Sequence, residues 1–202
     1  MKLNLLPYFK YKFLNTLFVG LSTGSVFIIY TPLKPSIYSF GGIVLAIAIL
    51  FVAKFYEKMM NEEVFFLVTF LVEVVTLVMI LAFLIFSYSY EIALFVYISY
   101  QFTFIFGGYL FRVETIILKR SKLLSLADIV RQKGYLVGLV VAFLFYKTLE
   151  FYGVEDKQSQ VYLIHFFLLL NQIMIIYLVF KAFSGDKMVA LKKLNLYNKK
   201  AN

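Results

Sequence analysis

Residues 64–86 read Val-Phe-Phe-Leu-Val-Thr-Phe-Leu-Val-Glu-Val-Val-Thr-Leu-Val-Met-Ile-Leu-Ala-Phe-Leu-Ile-Phe, an apolar run whose one ionisable side chain is Glu73. A helix needs about 20 mostly apolar residues to cross the hydrocarbon of a bilayer. The run meets that length and lacks the alternation of apolar and polar residues that a barrel strand requires. It reads as a membrane-spanning helix. The same window carried outward finds five more spans, over residues 13–31, 37–53, 92–111, 135–152 and 161–180. The fifth is interrupted near its end by Lys147 and Glu150, although a lysine so close to the surface can extend its ammonium to water.

Composition agrees with this reading. Of 202 residues, 62% are hydrophobic and 15% charged, whereas soluble domains are about half apolar and a quarter charged. Too few polar residues remain to cover a soluble core. Cysteine is absent and there is one histidine. Thiol catalysis, cysteine-ligated zinc or iron–sulfur centres and bis-histidine haem are therefore excluded. The expected fold is an all-α polytopic bundle of six transmembrane helices over residues 1–183, followed by a basic tail over residues 184–202.

Basic residues set the orientation, because cytoplasmic loops carry an excess of lysine and arginine. With both ends inside, the inner segments hold seventeen of the twenty basic residues, leaving Lys34, Lys147 and Lys157 outside. The net charge of +9 thus has a membrane explanation, and no nucleic-acid module is visible. The first apolar run begins after Lys12, is as long as a full span and lacks a small-x-small cleavage site, so it is expected to stay as the first helix. The bias toward Phe, Ile, Leu, Lys, Tyr and Asn suits an AT-rich bacterial genome, and a bacterial cytoplasmic membrane is the expected location.

Short connections are expected to give an antiparallel up-down array. Residues 112–134 are the exception. Ile116, Ile117, Leu123, Leu124, Ala127 and Val130 recur there at helical spacing against Lys119, Arg120, Lys122, Asp128, Arg131 and Lys133. An interfacial amphipathic helix fits this pattern, and so do the fourth and fifth helices projecting past the membrane with a turn near Ser121; the second is preferred. Either way the basic face is expected to meet anionic lipid headgroups. Gly20-x-x-x-Gly24, Gly42-x-x-x-Ala46 and Gly134-x-x-x-Gly138-x-x-x-Ala142 mark faces where backbones approach closely.

Ionisable groups deep in a span are costly, at least about 2.5–3.5 kcal/mol each, and hence informative. Glu73 lies roughly 14 Å into the third span at 1.5 Å per residue, with Thr69 and Thr76 on the same face. It is either a carboxylate that binds a cation or carries a proton, or a glutamate that hydrogen-bonds a neighbouring helix as packing glue. Tyr97, Gln101, Gly108 and Arg112 align on the fourth span, Asn15, Ser22 and Ser25 on the first, and His165 and Gln172 on the sixth beside Asn171. Ser22, Glu73, Gln101, Asn171 and Gln172 fall at similar depth. They line a polar cavity or act as interhelical glue, and His165 is read as a packing histidine.

Enzymatic chemistry finds little support. Glu62 and Glu63 resemble the Glu-Glu-x-x-Phe-Arg opening of intramembrane CAAX-type metal proteases, but Leu67 stands where the arginine belongs and a second histidine is missing. No Walker loop or nucleophile elbow is present, so no enzyme, cofactor or metal is expected.

Six helices with both ends inside, a short basic loop after the second and a longer basic segment after the fourth resemble one half of a major facilitator superfamily transporter. The stretch Ala53-Lys54-Phe55-Tyr56-Glu57-Lys58-Met59-Met60-Asn61-Glu62 is similar to that family's Gly-x-x-x-Asp-Arg-x-Gly-Arg-Arg loop. It keeps the acid–base pair Glu57-Lys58 but lacks both glycines and the terminal arginines. Arg131-Gln132-Lys133-Gly134 leading into Gly138 is similar to the family's basic entry to a glycine-rich fifth helix. The resemblance implies a small-solute cavity involving Ser22, Ser25, Tyr97 and Gln101, to which the polar band adds Asn171 and Gln172. Glu73 becomes a proton- or cation-coupling residue, and Glu57, Lys58 and Arg112 a cytoplasmic gate. It also implies a homodimer or a second membrane subunit that completes the family's two halves. The alternative is a non-catalytic membrane subunit or substrate-binding component of a larger complex.

Overall fold

The computed structural model describes residues 3–184. The basic tail, including Lys187, Lys192, Lys193, Lys199 and Lys200, lies outside the described residues apart from Ser184. The chain forms α1 (Leu5–Ile29), α2 (Pro35–Lys54), the one-turn α3 (Tyr56–Met59), α4 (Glu62–Phe86), α5 (Tyr90–Leu118), α6 (Ser121–Phe151) and α7 (Lys157–Phe183), with no strand among the described residues. Six of these helices, all but α3, are long and apolar enough to cross a membrane.

Local chemistry sets the helix limits. Pro35 occupies the first turn of α2, where its missing N–H costs nothing. Asn61 caps α4 by accepting from the Val64 amide at 2.9 Å. Glu62 and Glu63 sit in the first turn of that helix, where the dipole favours negative charge. Their pairing is thus explained without metal chemistry. Ser89 caps α5 through the Ile92 amide, and Asp156 caps α7 through the amide and hydroxyl of Ser159. Between α5 and α6, Lys119 takes a left-handed conformation, φ 53°, and the turn closes within two residues. The amphipathic segment therefore belongs to the ends of two long helices joined by a turn beside Ser121.

The first helix starts eight residues before the expected span. Pro7 is tolerated there because it lies in the first turn. Tyr8, Tyr11 and Lys12 consequently belong to the bundle. Lys12, counted from sequence with a cytoplasmic segment, keeps only 12% of its side-chain surface. The Asn4 amide donates to Ala182 O at 2.7 Å, so the start of α1 and the end of α7 lie side by side at one end of the bundle. The α5–α6 turn is at that end too, since Tyr8 of α1 reaches Glu114 of α5.

Helices adjacent in sequence are mostly not the principal neighbours in space. The helix α1 packs on α6 and α7, α4 on α7 and α5, and α2 on α5. Short loops fix direction, but side chains choose the partner. The α1–α6 contact is a glycine crossing, because a Cβ on Gly20 would meet Tyr135 O, Leu139 N and Gly138 Cα. Ser25 and Tyr146 join their hydroxyls at 3.1 Å further along the same pair of helices. By contrast α2 buries no residue at all, and nothing lies within 4 Å of a Cβ built on Gly42.

Candidate functional site

Three helices, α1, α4 and α5, enclose most of a cavity of about 520 Å³. Its lining on α1 runs Tyr11, Lys12, Asn15, Phe18, Val19, Ser22, Thr23, Val26, Phe27 and Tyr30, a stripe at steps of three and four that returns to one face. From Lys12 to Tyr30 it extends about 27 Å at 1.5 Å per residue, most of a bilayer's hydrocarbon depth. The α5 stripe runs Tyr97, Tyr100, Gln101, Phe104, Gly107, Phe111 and Glu114, with Val72, Glu73 and Thr76 from α4, Arg131 from α6 and Gln172 from α7.

Glu73 sits at the wall of this cavity and is 1% exposed. Its Oε1 accepts from Tyr11 OH at 3.0 Å and Asn15 Nδ2 at 2.9 Å. Its Oε2 accepts from Gln172 Nε2 at 2.8 Å, and the same nitrogen donates to the Glu73 backbone oxygen at 2.9 Å. Among the described residues no cation lies within ion-pair distance of this carboxylate.

A second buried acid, Glu114, occupies the end of the cavity near the α5–α6 turn and is 2% exposed. Its Oε1 accepts from Tyr8 OH at 2.8 Å. Its Oε2 is 2.8 Å from Arg131 Nη2 and 3.4 Å from Lys12 Nζ. Arg131 also reaches Asp128 at 3.3 Å and lies over the Phe111 ring at 5.0 Å. At the opposite end Tyr30 and Tyr97 line the cavity and pack with Tyr38, the ring centroids 5.4–6.1 Å apart.

The residues singled out from sequence are dispersed over this frame. Ser22, Tyr97, Gln101, Gln172 and Glu73 line the cavity. Tyr97 belongs to its tyrosine end and donates to Tyr38 O at 3.3 Å. Ser25 faces Tyr146, and Asn171 donates to Leu14 O at 2.9 Å, so neither lines the cavity. His165 stacks 4.1 Å from Phe83 and contacts Val161 O through Nδ1. Glu57 and Lys58 are exposed on α3. Arg112 is exposed too, with its guanidinium 5.7 Å over the Tyr56 ring. The expected α5 face of Tyr97, Gln101, Gly108 and Arg112 drifts out of register, because each four-residue step turns about 40° past a full revolution. The inward stripe ends on Glu114 instead.

Sequence reading missed Glu114, Tyr8 and Tyr11, and treated Lys12 and Arg131 only as surface charge. A signal existed: Tyr100, Gly107 and Glu114 are seven apart, as are Lys12 and Val19. A fourth span that ends at Phe111 and a first that begins at Phe13 leave Glu114 and Lys12 just outside.

Among the described residues, four buried polar atoms have no hydrogen-bond partner: Thr69 Oγ1, Gln101 Oε1, Arg131 Nε and Gln172 Oε1. No group of three metal-ligating side chains occurs among the described residues. Chemically, the site offers a carboxylate that can take a proton, a compact ionic cluster and aromatic walls. The class these helices define is a multi-pass helical membrane protein. No protein-family model, curated protein or solved structure matches the chain.

Proposed function

We propose that the chain is one half of a transporter of the major facilitator kind, moving a small solute through the α1–α4–α5 cavity with Glu73 as coupling residue. The observation that carries this reading is a buried carboxylate without a cation partner, held by three side-chain donors at the wall of a 520 Å³ cavity. Packing glue alone needs no cavity, and a cavity of this size is in the range that holds small ligands. Ser22, Tyr97, Gln101 and Gln172 contact the solute in this reading, while Ser25 and Asn171 support α1. Glu57, Lys58 and Arg112 remain gate candidates on the strength of their position beside the α3 turn. The protein is not an enzyme in this reading.

Both tails face the cytoplasm of a bacterial cell, with the membrane its inner one, because that orientation puts the lysine-rich turns inside. A second copy or an unlike membrane subunit covers the open flank between α1 and α5, where Val19, Phe27, Phe104 and Phe111 are exposed. A non-catalytic subunit of a larger complex is the second reading, favoured by the absence of any buried residue on α2.

Uptake into proteoliposomes under an imposed pH gradient tests the function. Glu73→Gln should lower proton-driven uptake by at least tenfold while solute exchange without a gradient persists. Equal proton-driven uptake by the two proteins removes Glu73 from coupling. Orientation is tested separately. The chain has no cysteine, so each introduced one reports alone. Lys34→Cys should react with impermeant maleimide from outside intact cells and Lys58→Cys only after permeabilisation. Labelling of both from one side refutes the six-span arrangement.

A further inference from the structure

The charge balance of the cavity identifies the kind of solute it takes. Four acidic or basic side chains line it: Lys12, Glu73, Glu114 and Arg131. Asp128, the other partner of Arg131, is 62% exposed and solvated, so its charge is largely screened. Two cations then face two carboxylates, and the buried set is neutral while Glu73 is ionised.

Hydrogen-bond direction shows where a proton is added. Gln172 Nε2 uses its hydrogens on Glu73 Oε2 and on the Glu73 backbone oxygen. Reversing that amide would set oxygen against both acceptors, so Oε2 stays an acceptor. On Oε1 the Tyr11 hydroxyl can rotate from donor to acceptor, since a phenol serves as either. Oε1 is therefore the protonation site: one O–H bond forms to a proton delivered from bulk solvent as hydronium, whose own O–H bond breaks to leave neutral water. No other bond changes.

Once Glu73 is neutral, Lys12 and Arg131 exceed Glu114 by one positive charge. An uncompensated charge in a low-dielectric site is strongly disfavoured, and a monoanion restores the balance. Donors are ready for it. Lys12 Nζ stands 3.4 Å from Glu114, longer than a charge-assisted hydrogen bond, and Arg131 Nε is buried without an acceptor. Phe18, Tyr100, Phe104 and Phe111 supply apolar wall. We propose that the cavity binds a small organic monoanion, a carboxylate with an apolar body, together with one proton on Glu73. This rests on the reading of the cavity as a solute site and adds the solute's charge and the stoichiometry.

The groups facing Glu73 belong to every helix around it. Tyr11 and Asn15 of α1 and Gln172 of α7 hydrogen-bond to it directly, and Lys12 of α1, Tyr97, Tyr100 and Glu114 of α5 and Arg131 of α6 line the same cavity. His165 of α7 lies two turns from Gln172 and packs on Phe83.

The test uses the purified full-length chain in detergent with four probes sharing one ring: benzoate, benzylamine, phenylalanine and benzyl alcohol. Thermal stabilisation gives each affinity between about pH 8 and about pH 6, where benzoate keeps its charge. Benzoate should bind, tightening as pH falls, by up to about tenfold per unit where one proton is taken up. Glu73→Gln, neutral at every pH, should bind benzoate with no pH dependence. If that variant fails to fold, the wild-type slope alone decides, and a flat slope overturns proton co-binding. Binding of benzylamine, phenylalanine or benzyl alcohol in preference to benzoate overturns the charge assignment and leaves a solute cavity standing. Failure of all four probes overturns both this proposal and the solute-cavity reading.

Discussion

Glu114→Ala should destabilise the folded protein by about 3–5 kcal/mol, the cost of leaving buried charges unpaired. The alanine removes the acceptor of three groups at once, namely Tyr8 OH, Arg131 Nη2 and the Lys12 ammonium. Lys12 is held inside the bundle over the rings of Tyr8 and Tyr11, 5.4 and 5.6 Å from their centroids, with 12% of its side-chain surface exposed. The measurement is reversible unfolding in mixed detergent micelles, comparing Glu114→Ala with wild type. A loss under about 1 kcal/mol would mean that the cluster behaves as a solvated surface pair. The triple variant Glu114→Leu, Lys12→Met, Arg131→Met removes all three charges together and should recover most of the loss. If the triple variant is as unstable as the single one, packing rather than charge is responsible.

A loss of about 3 kcal/mol is also expected for Gly138→Leu, at the upper end of overpacking costs. A Cβ at this position would meet Leu17 O, with Gly20 Cα and Leu21 N each at 3.0 Å. All three are backbone atoms of α1, and backbone cannot rotate aside as a flexible side chain does. The helices must separate instead, which pulls Ser25 from Tyr146 and shifts the α1 stripe that carries Tyr11, Lys12 and Asn15. Gly42→Leu is the matched control. Its surroundings are open, so unfolding should change by no more than a few tenths of a kcal/mol. A comparable loss at Gly42 would show that the cost does not come from the α1–α6 crossing, since replacing glycine acts through the unfolded chain in the stabilising direction.

How much was legible before the structure depends on the type of signal. The hydrocarbon core acts on every residue of a span in the same way, so a window average finds the six long helices. Turn chemistry at Pro35 and near Ser121 is equally local. The ends of the spans were less legible, because hydropathy falls wherever a charge occurs, whether that charge is in water or paired inside the bundle. Lys12 and Glu114 stand at such falls. Each looks like a boundary by itself, and they become interior only because they face each other across α1 and α5.

The site divides along the same line. Glu73 stood out from sequence because one acid in a long apolar run is expensive wherever that run packs. Its cage did not stand out, because Tyr11, Asn15 and Gln172 are 62, 58 and 99 residues away and nothing in their local pattern marks them as its donors. Asn171 and Gln172, adjacent in sequence and similar in chemistry, separate completely in space. One binds the Leu14 carbonyl and the other binds Glu73, since neighbouring positions on a helix point about 100° apart.

The amino-acid sequence by itself determined the number of long apolar helices, their turns and the one deep acid, because these follow from the free energy of putting single side chains into oil or water. Only the tertiary structure decided which helices touch, that α1 reaches down to Leu5, and that two acids and two cations share one cavity. Those outcomes depend on pairs of groups, and the energy of a pair is defined only once the chain has brought its members together.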